Sequence, residues 1–135
     1  MSHRGIIVKV GKRFKVLEAS RTVRLTNLKD FIARGENGKY WIKRADIGKA
    51  KIRYNSYLGH KYDLAFRFDN NKYYCSELVY LIFKKQVGIE LCEPQTIKSY
   101  CILGLDKILK RRGINPSQKV VAPSDLYRSD FLNDI

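Results

Sequence analysis

The sequence predicts an α+β fold, with strands early, one dominant helix in the middle and short elements after it. Three observations carry this reading. Ile6-Ile7-Val8-Lys9-Val10 and Phe14-Lys15-Val16-Leu17-Glu18-Ala19 flank Gly11-Lys12-Arg13, a hairpin pattern. Cys75, Leu78, Val79, Ile82 and Phe83 recur at helical spacing and make one continuous apolar face. Strand and helix patterns do not alternate along the chain as a parallel βαβ array requires.

The other elements follow in order. Residues 22–25 read as a short third strand. Thr26 or Asn27 can cap a helix through Leu28, Phe31 and Ile32, stopped by Gly35. After the Glu36-Asn37-Gly38 turn, Tyr40-Trp41-Ile42-Lys43-Arg44 reads as a strand. Residues 47–57 read as a helix. Asp69-Asn70-Asn71-Lys72 forms a polar turn that places Cys75 at the start of the central helix, which Gly88 stops. Residues 88–102 read as irregular. Residues 105–112 form a short helix ended by Gly113, and Pro123 opens the last helix at its first turn. The whole chain, 1–135, reads as one domain.

Charge narrows the function classes. Residues 1–53 hold 15 Lys and Arg against 4 Asp and Glu, a net of +11, while residues 54–135 add only +3. Such asymmetry favours an anionic partner: nucleic acid, an anionic surface or an acidic polymer. The apolar content of 44% and aromatic content of 12% exclude a disordered basic tail. No apolar run reaches the roughly 18 residues of a membrane span. No signal-peptide pattern follows Met1, so a cytoplasmic location is expected. Three cysteines, an odd number, argue against a disulfide scaffold, and no spacing suits zinc.

Cys75 is the first chemical candidate. A thiol at a helix N-terminus meets unpaired N–H groups and the positive end of the helix dipole, which favour the thiolate. The plainer reading is a buried small hydrophobe; Cys92 and Cys101 are read that way. A nucleophilic cysteine needs a base, and the chain offers only His3 and His60. With a two-residue turn at Val10-Gly11 or Gly11-Lys12, odd positions of the first strand share a face with even positions of the second. His3 and Glu18 then lie on one face, opposite or diagonal, and the carboxylate can orient the imidazole. A three-residue loop would reverse the parity. Glu77 reads as a first-turn carboxylate that suits the helix dipole. Arg4 sets a cation beside the proposed base, and a lowered imidazole pKa is expected.

The segments Ser2-His3-Arg4-Gly5-Ile6-Ile7-Val8, Val16-Leu17-Glu18-Ala19, Leu58-Gly59-His60-Lys61-Tyr62-Asp63, Tyr73-Tyr74-Cys75-Ser76-Glu77-Leu78-Val79 and Val121-Ala122-Pro123-Ser124-Asp125-Leu126 occur in that order. The series resembles the YiiX-type, NlpC-related cysteine hydrolases of circularly permuted papain-like fold. The resemblance implies an antiparallel sheet packed on a central helix that begins at the nucleophile. It maps the base on His3, the polar third residue on Glu18 and the nucleophile on Cys75. It sets Tyr62 beside the site, with Tyr62 and Tyr74 as candidates for substrate or oxyanion contact and Asp63 as structural. Family members carry a strand and linker before the histidine motif, so domain 1–135 is expected to lack that strand.

The resemblance implies a thiol hydrolase, a cysteine peptidase or amidase, with an acyltransferase as a close variant and no cofactor or metal. Expected substrates are a peptide, a cell-wall peptide or an acyl or lipid group, anionic to suit the basic half. The alternative is a non-catalytic basic module for nucleic acid or an anionic surface. Tyr40, Trp41, Tyr54 and Tyr57 interleave with Lys39, Lys43, Arg44, Lys51 and Arg53, a mixture that suits stacking and phosphate contacts. The plainer reading of those aromatics is a buried strand and helix.

Overall fold

A computed structural model describes residues 3–67, 70–100 and 103–135. Ser2, Asp69 and Cys101 lie outside the described residues.

The hairpin forms as its sequence requires. Strand β1 (Ile6–Val10) pairs antiparallel with β2 (Arg13–Ala19), which pairs antiparallel with β3 (Val23–Asn27). Val10 faces Arg13, so Gly11 and Lys12 make the two-residue turn, and Gly11 takes a φ of 62° that glycine adopts without strain. Ile6 faces Leu17 and Val8 faces Lys15. The parity is therefore the one that puts positions 3 and 18 on the same face. Gly5 is required beside the hairpin: a Cβ there would sit 2.3 Å from a Val16 methyl and 2.9 Å from the Leu17 carbonyl.

Helix α1 (Leu28–Ala33) follows β3 with Asn27 at its start. The predicted strand over 40–44 shrinks to β4 (Lys43–Ala45), because Tyr40 and Trp41 stand out in solvent rather than joining a ladder. The predicted helix over 47–57 does not form. Ile52, Tyr54 and Tyr57 dock on the core, while the backbone N–H and carbonyl of Arg53 are taken by the Gln86 side chain at 2.7 and 2.5 Å. Half-burial at 52 and 54 is a period of two, which a helix does not offer.

The central helix α2 (Cys75–Ile82) is buried from Ser76 through Ile82, more completely than a one-faced amphipathic pattern suggests. Leu17, Ala19 and Val23 of the sheet pack with Leu78, Leu81 and Ile82 of α2, closed by Val121 and Leu126. A single π-helical turn (Phe83–Val87) ends at Gly88 in the left-handed region. The region read as irregular contains a two-residue strand, β5 (Gln95–Thr96), paired with β6 (Lys119–Val120). Helix α3 (Leu105–Arg112) ends at Gly113 as expected, and α4 (Pro123–Tyr127) opens on its proline. Strand β7 (Leu132–Asp134) pairs with β4. No helix among the described residues is long and apolar enough to cross a membrane.

Candidate active site

The site is assembled from three places: the chain just before β1, the middle of β2 and the start of α2. The His3 Nε2–H donates to Glu18 Oε1 at 2.8 Å. The hairpin register continued past Ile6 would oppose position 3 to position 20, so His3 and Glu18 are diagonal neighbours on one face. Phe31 of α1 packs beside the imidazole at 5.7 Å.

Glu18 is fully buried yet surrounded by donors. Arg34 Nη2 lies 2.6 Å from both carboxylate oxygens, and the Thr26 hydroxyl donates to Oε2. Arg24, its cross-strand partner on β3, stands 3.6 Å away. Burial alone would favour the protonated acid, but Arg34, Thr26 and His3 outweigh it and hold the carboxyl below its ordinary value. Glu18 is thus an ionised acceptor that fixes His3.

With Nε2 facing Glu18, Nδ1 is the ring nitrogen left for Cys75, whose thiol hydrogen-bonds His3. Burial pushes the thiol up. The hydrogen bond and charge of His3, then the backbone N–H groups of Arg4 and Ser76, outweigh burial and bring it below its ordinary 9.0. The same pair acts on His3. Burial opposes its protonation, but Cys75 and then Glu18 raise the imidazole above its ordinary 6.5. The expected downward pull of Arg4 is therefore reversed. Its guanidinium donates to the Pro123 carbonyl at 3.1 and 3.3 Å, and both its charge and its backbone N–H act on Cys75.

Tyr62 stands at the other side of Cys75. Its hydroxyl accepts from the Cys75 backbone N–H, and burial followed by the Cys75 charge pushes its pKa up to about 12. It stays a protonated donor through the physiological range. Tyr74 is placed differently. Its buried hydroxyl accepts from the Val121 N–H at 3.0 Å, while Ser76 donates to the Val121 carbonyl at 2.5 Å. Residues on both sides of Cys75 are thus braced by Val121. Tyr74 supplies one arm of that brace.

The remaining candidates are scaffold. Asp63 accepts from the Ala65 and Arg67 N–H groups at 2.9 and 2.8 Å and from Asn70 Nδ2 at 3.0 Å, a structural role as expected. His60 lies between the carbonyls of Asn71 and Ser56, at 2.8 and 3.1 Å. Glu77 is buried and accepts from the Tyr74 N–H at 3.3 Å. Burial pushes the Cys92 thiol up to about 11, first by desolvation and then by nearby carboxylates.

Arg34, Thr26 as a partner of Glu18, and the Arg4 N–H as a partner of Cys75 were not read as site groups in the sequence. The register of β2 with β3 carries a signal for Thr26, since Val16 faces it and Glu18 is its diagonal neighbour. Arg34 has no such local signal. A cleft of about 880 Å³ opens beside His3, lined by Phe31, Arg34, Lys39, Tyr40, Trp41 and Tyr127. Tyr40 and Trp41 are exposed there, whereas Tyr54 and Tyr57 pack against the core.

The chain and its fold have counterparts. YiiX of Escherichia coli (strain K12) is 31% identical over 146 residues, covering 99% of this chain and 72% of that protein. A crystal structure described as metalloprotein yiiX from Escherichia coli O157:H7 superposes with a TM-score of 0.84 at 28% identity, over 97% of this chain and 79% of that one. The word metalloprotein belongs to that structure. Among the described residues here, no three His, Cys, Asp or Glu side chains form a set that would hold a metal. The match of residues 1–135 to the family model of permuted papain-like amidases, YaeF/YiiX, completes the assignment: the chain belongs to this family of cysteine amidases, C92.

Proposed function

We propose that the protein hydrolyses an amide through a Cys75 thioester. The observation that supports this most directly is the His3 imidazole held between a buried, ionised Glu18 and the thiol at the start of α2. The raised imidazole and the lowered thiol both favour passing the proton from sulfur to His3, which makes the attacking thiolate. The thiolate attacks the carbonyl carbon, and the new S–C bond forms as the C=O electron pair moves to oxygen. That oxygen takes the Cys75 N–H and the Tyr62 hydroxyl, which already lie together. The tetrahedral intermediate collapses, the C–N bond breaks, and His3 gives its proton to the leaving amine. Water then attacks the thioester, His3 accepts its proton, and the acid departs with the thiol restored. Arg34 and Thr26 serve as positioning residues through Glu18. The substrate is anionic, matching the +11 of residues 1–53.

Alkylation by iodoacetamide across pH tests the pair. Wild type is expected to react with a midpoint below 9.0. In His3→Ala the midpoint moves up, and Cys75→Ser abolishes the signal. A wild-type thiol that reacts as an ordinary cysteine, unchanged by His3→Ala, would falsify the mechanism.

A further inference from the structure

We infer that the free edge of β1 is a docking site for an extended acidic peptide, which adds to the sheet as a fourth strand. The inference rests on the amidase reading for its purpose, since it names the substrate class. Its physical basis is separate.

In a two-residue hairpin the residues flanking the turn, here Val10 and Arg13, exchange both hydrogen bonds, and such pairs recur at every second position. Val8–Lys15 and Ile6–Leu17 are therefore bonded pairs. Ile7 and Lys9 direct their N–H and carbonyl groups away from β2. Among the described residues β1 pairs with β2 alone and is an outer strand of its sheet. An apolar groove of about 410 Å³ opens beside the Ile6–Ile7 end of this strand. Ile7 and Val79 line it on the sheet and helix side, Ala45 and Ile135 on the side of the β4–β7 ribbon. His3 also lines it, so the groove runs into the catalytic site.

Two features choose the occupant. An acyl chain would fill the apolar space but leave the outward amides of Ile7 and Lys9 without partners, whereas an extended peptide pairs them. Its alternate side chains enter the groove and the others face solvent. Lys9 and Arg44 are exposed along this edge, in the half of the chain that carries +11, which selects acidic residues at the outward positions.

The test uses Cys75→Ala, so that binding is read without turnover. The probe is a fluorescein-labelled hexapeptide of alternating Glu and Val, followed by anisotropy. A second probe has the same sequence with alternate backbone nitrogens methylated. Binding of the first, with at least tenfold weaker binding of the second and no displacement by laurate, supports strand addition. Equal binding of both peptides, binding of neither, or laurate that displaces the peptide would overturn it. Arg44→Glu, with unchanged melting, is expected to weaken the first probe at least tenfold. Iodoacetamide titration of the wild type is independent of this outcome, so a failed groove and a failed thiolate–imidazolium pair are told apart.

Discussion

The molecule holds two histidine clusters of similar make-up and opposite use. His3 is bonded to side chains that change charge, Glu18 and Cys75. His60 is bonded to the backbone carbonyls of Asn71 and Ser56, whose dipoles are fixed. Each has a buried carboxylate close in the chain or in space, Glu18 bonded to His3 and Asp63 three residues after His60. Glu18 spends its oxygens on Arg34, Thr26 and the imidazole, while Asp63 spends its own on loop N–H groups and Asn70. A histidine among titratable partners can share a proton. One among carbonyls only ties loops together, here the segment after β4 to the turn before α2. Residue type does not separate a base from a staple; the partners do.

The contrast can be tested from its largest expected effect downward. His3→Ala should lower kcat/KM on any amide the wild type turns over by roughly 10²- to 10⁴-fold, the usual worth of a positioned base. That is about 2.7–5.5 kcal/mol of barrier. Its melting temperature should change little, since the side chain is about one-third exposed. A small kinetic loss with a large stability loss would make His3 a second staple.

Arg34→Met removes the strongest partner of a buried charge. A loss of about 2–3 kcal/mol is expected, below the full 3–5 for an orphaned buried ion because Thr26 and His3 remain. The sign with pH is fixed. The folded-state pKa of Glu18 is lowered, so its stabilisation is complete above the ordinary 4.5 and disappears as pH falls through the folded value. Urea unfolding from pH 7 to pH 3 should therefore show wild type and Arg34→Met converging towards acid. A constant gap would mean that Arg34 acts through packing.

Tyr62→Phe should cost roughly 10- to 100-fold in kcat, less than a full oxyanion-hole deletion because the Cys75 N–H remains. A loss confined to KM would place Tyr62 in binding instead. The smallest effect belongs to His60→Ala: about 1 kcal/mol of stability, the net worth of a hydrogen bond, with the iodoacetamide midpoint unmoved. A shifted midpoint would break the contrast.

How much of this was legible in the sequence follows from range. The face shared by His3 and Glu18 depends only on a two-residue turn and the pleat, so local spacing reveals it. The start of α2 at Cys75 is likewise local, marked by a turn and a helical apolar period. Arg34 sits at the end of α1, and its meeting with Glu18 depends on how α1 folds back on the sheet, which no periodicity encodes. β5–β6 and β4–β7 are ladders of two and three residues between distant segments, too short to show alternation. The 47–57 helix failed for a related reason. Gln86, a residue far along the chain, supplies the hydrogen bonds that a helix would have supplied locally.

The brace at Val121 and the Arg4–Pro123 bond carry a consequence for the order of biosynthesis. His3 leaves the ribosome long before Cys75, and the residues that frame Cys75 come later still. Translation at about 5–20 residues per second puts roughly 6–24 seconds between His3 and Pro123. Through that interval the nascent chain carries His3, and later Cys75, without the frame that sets them in place.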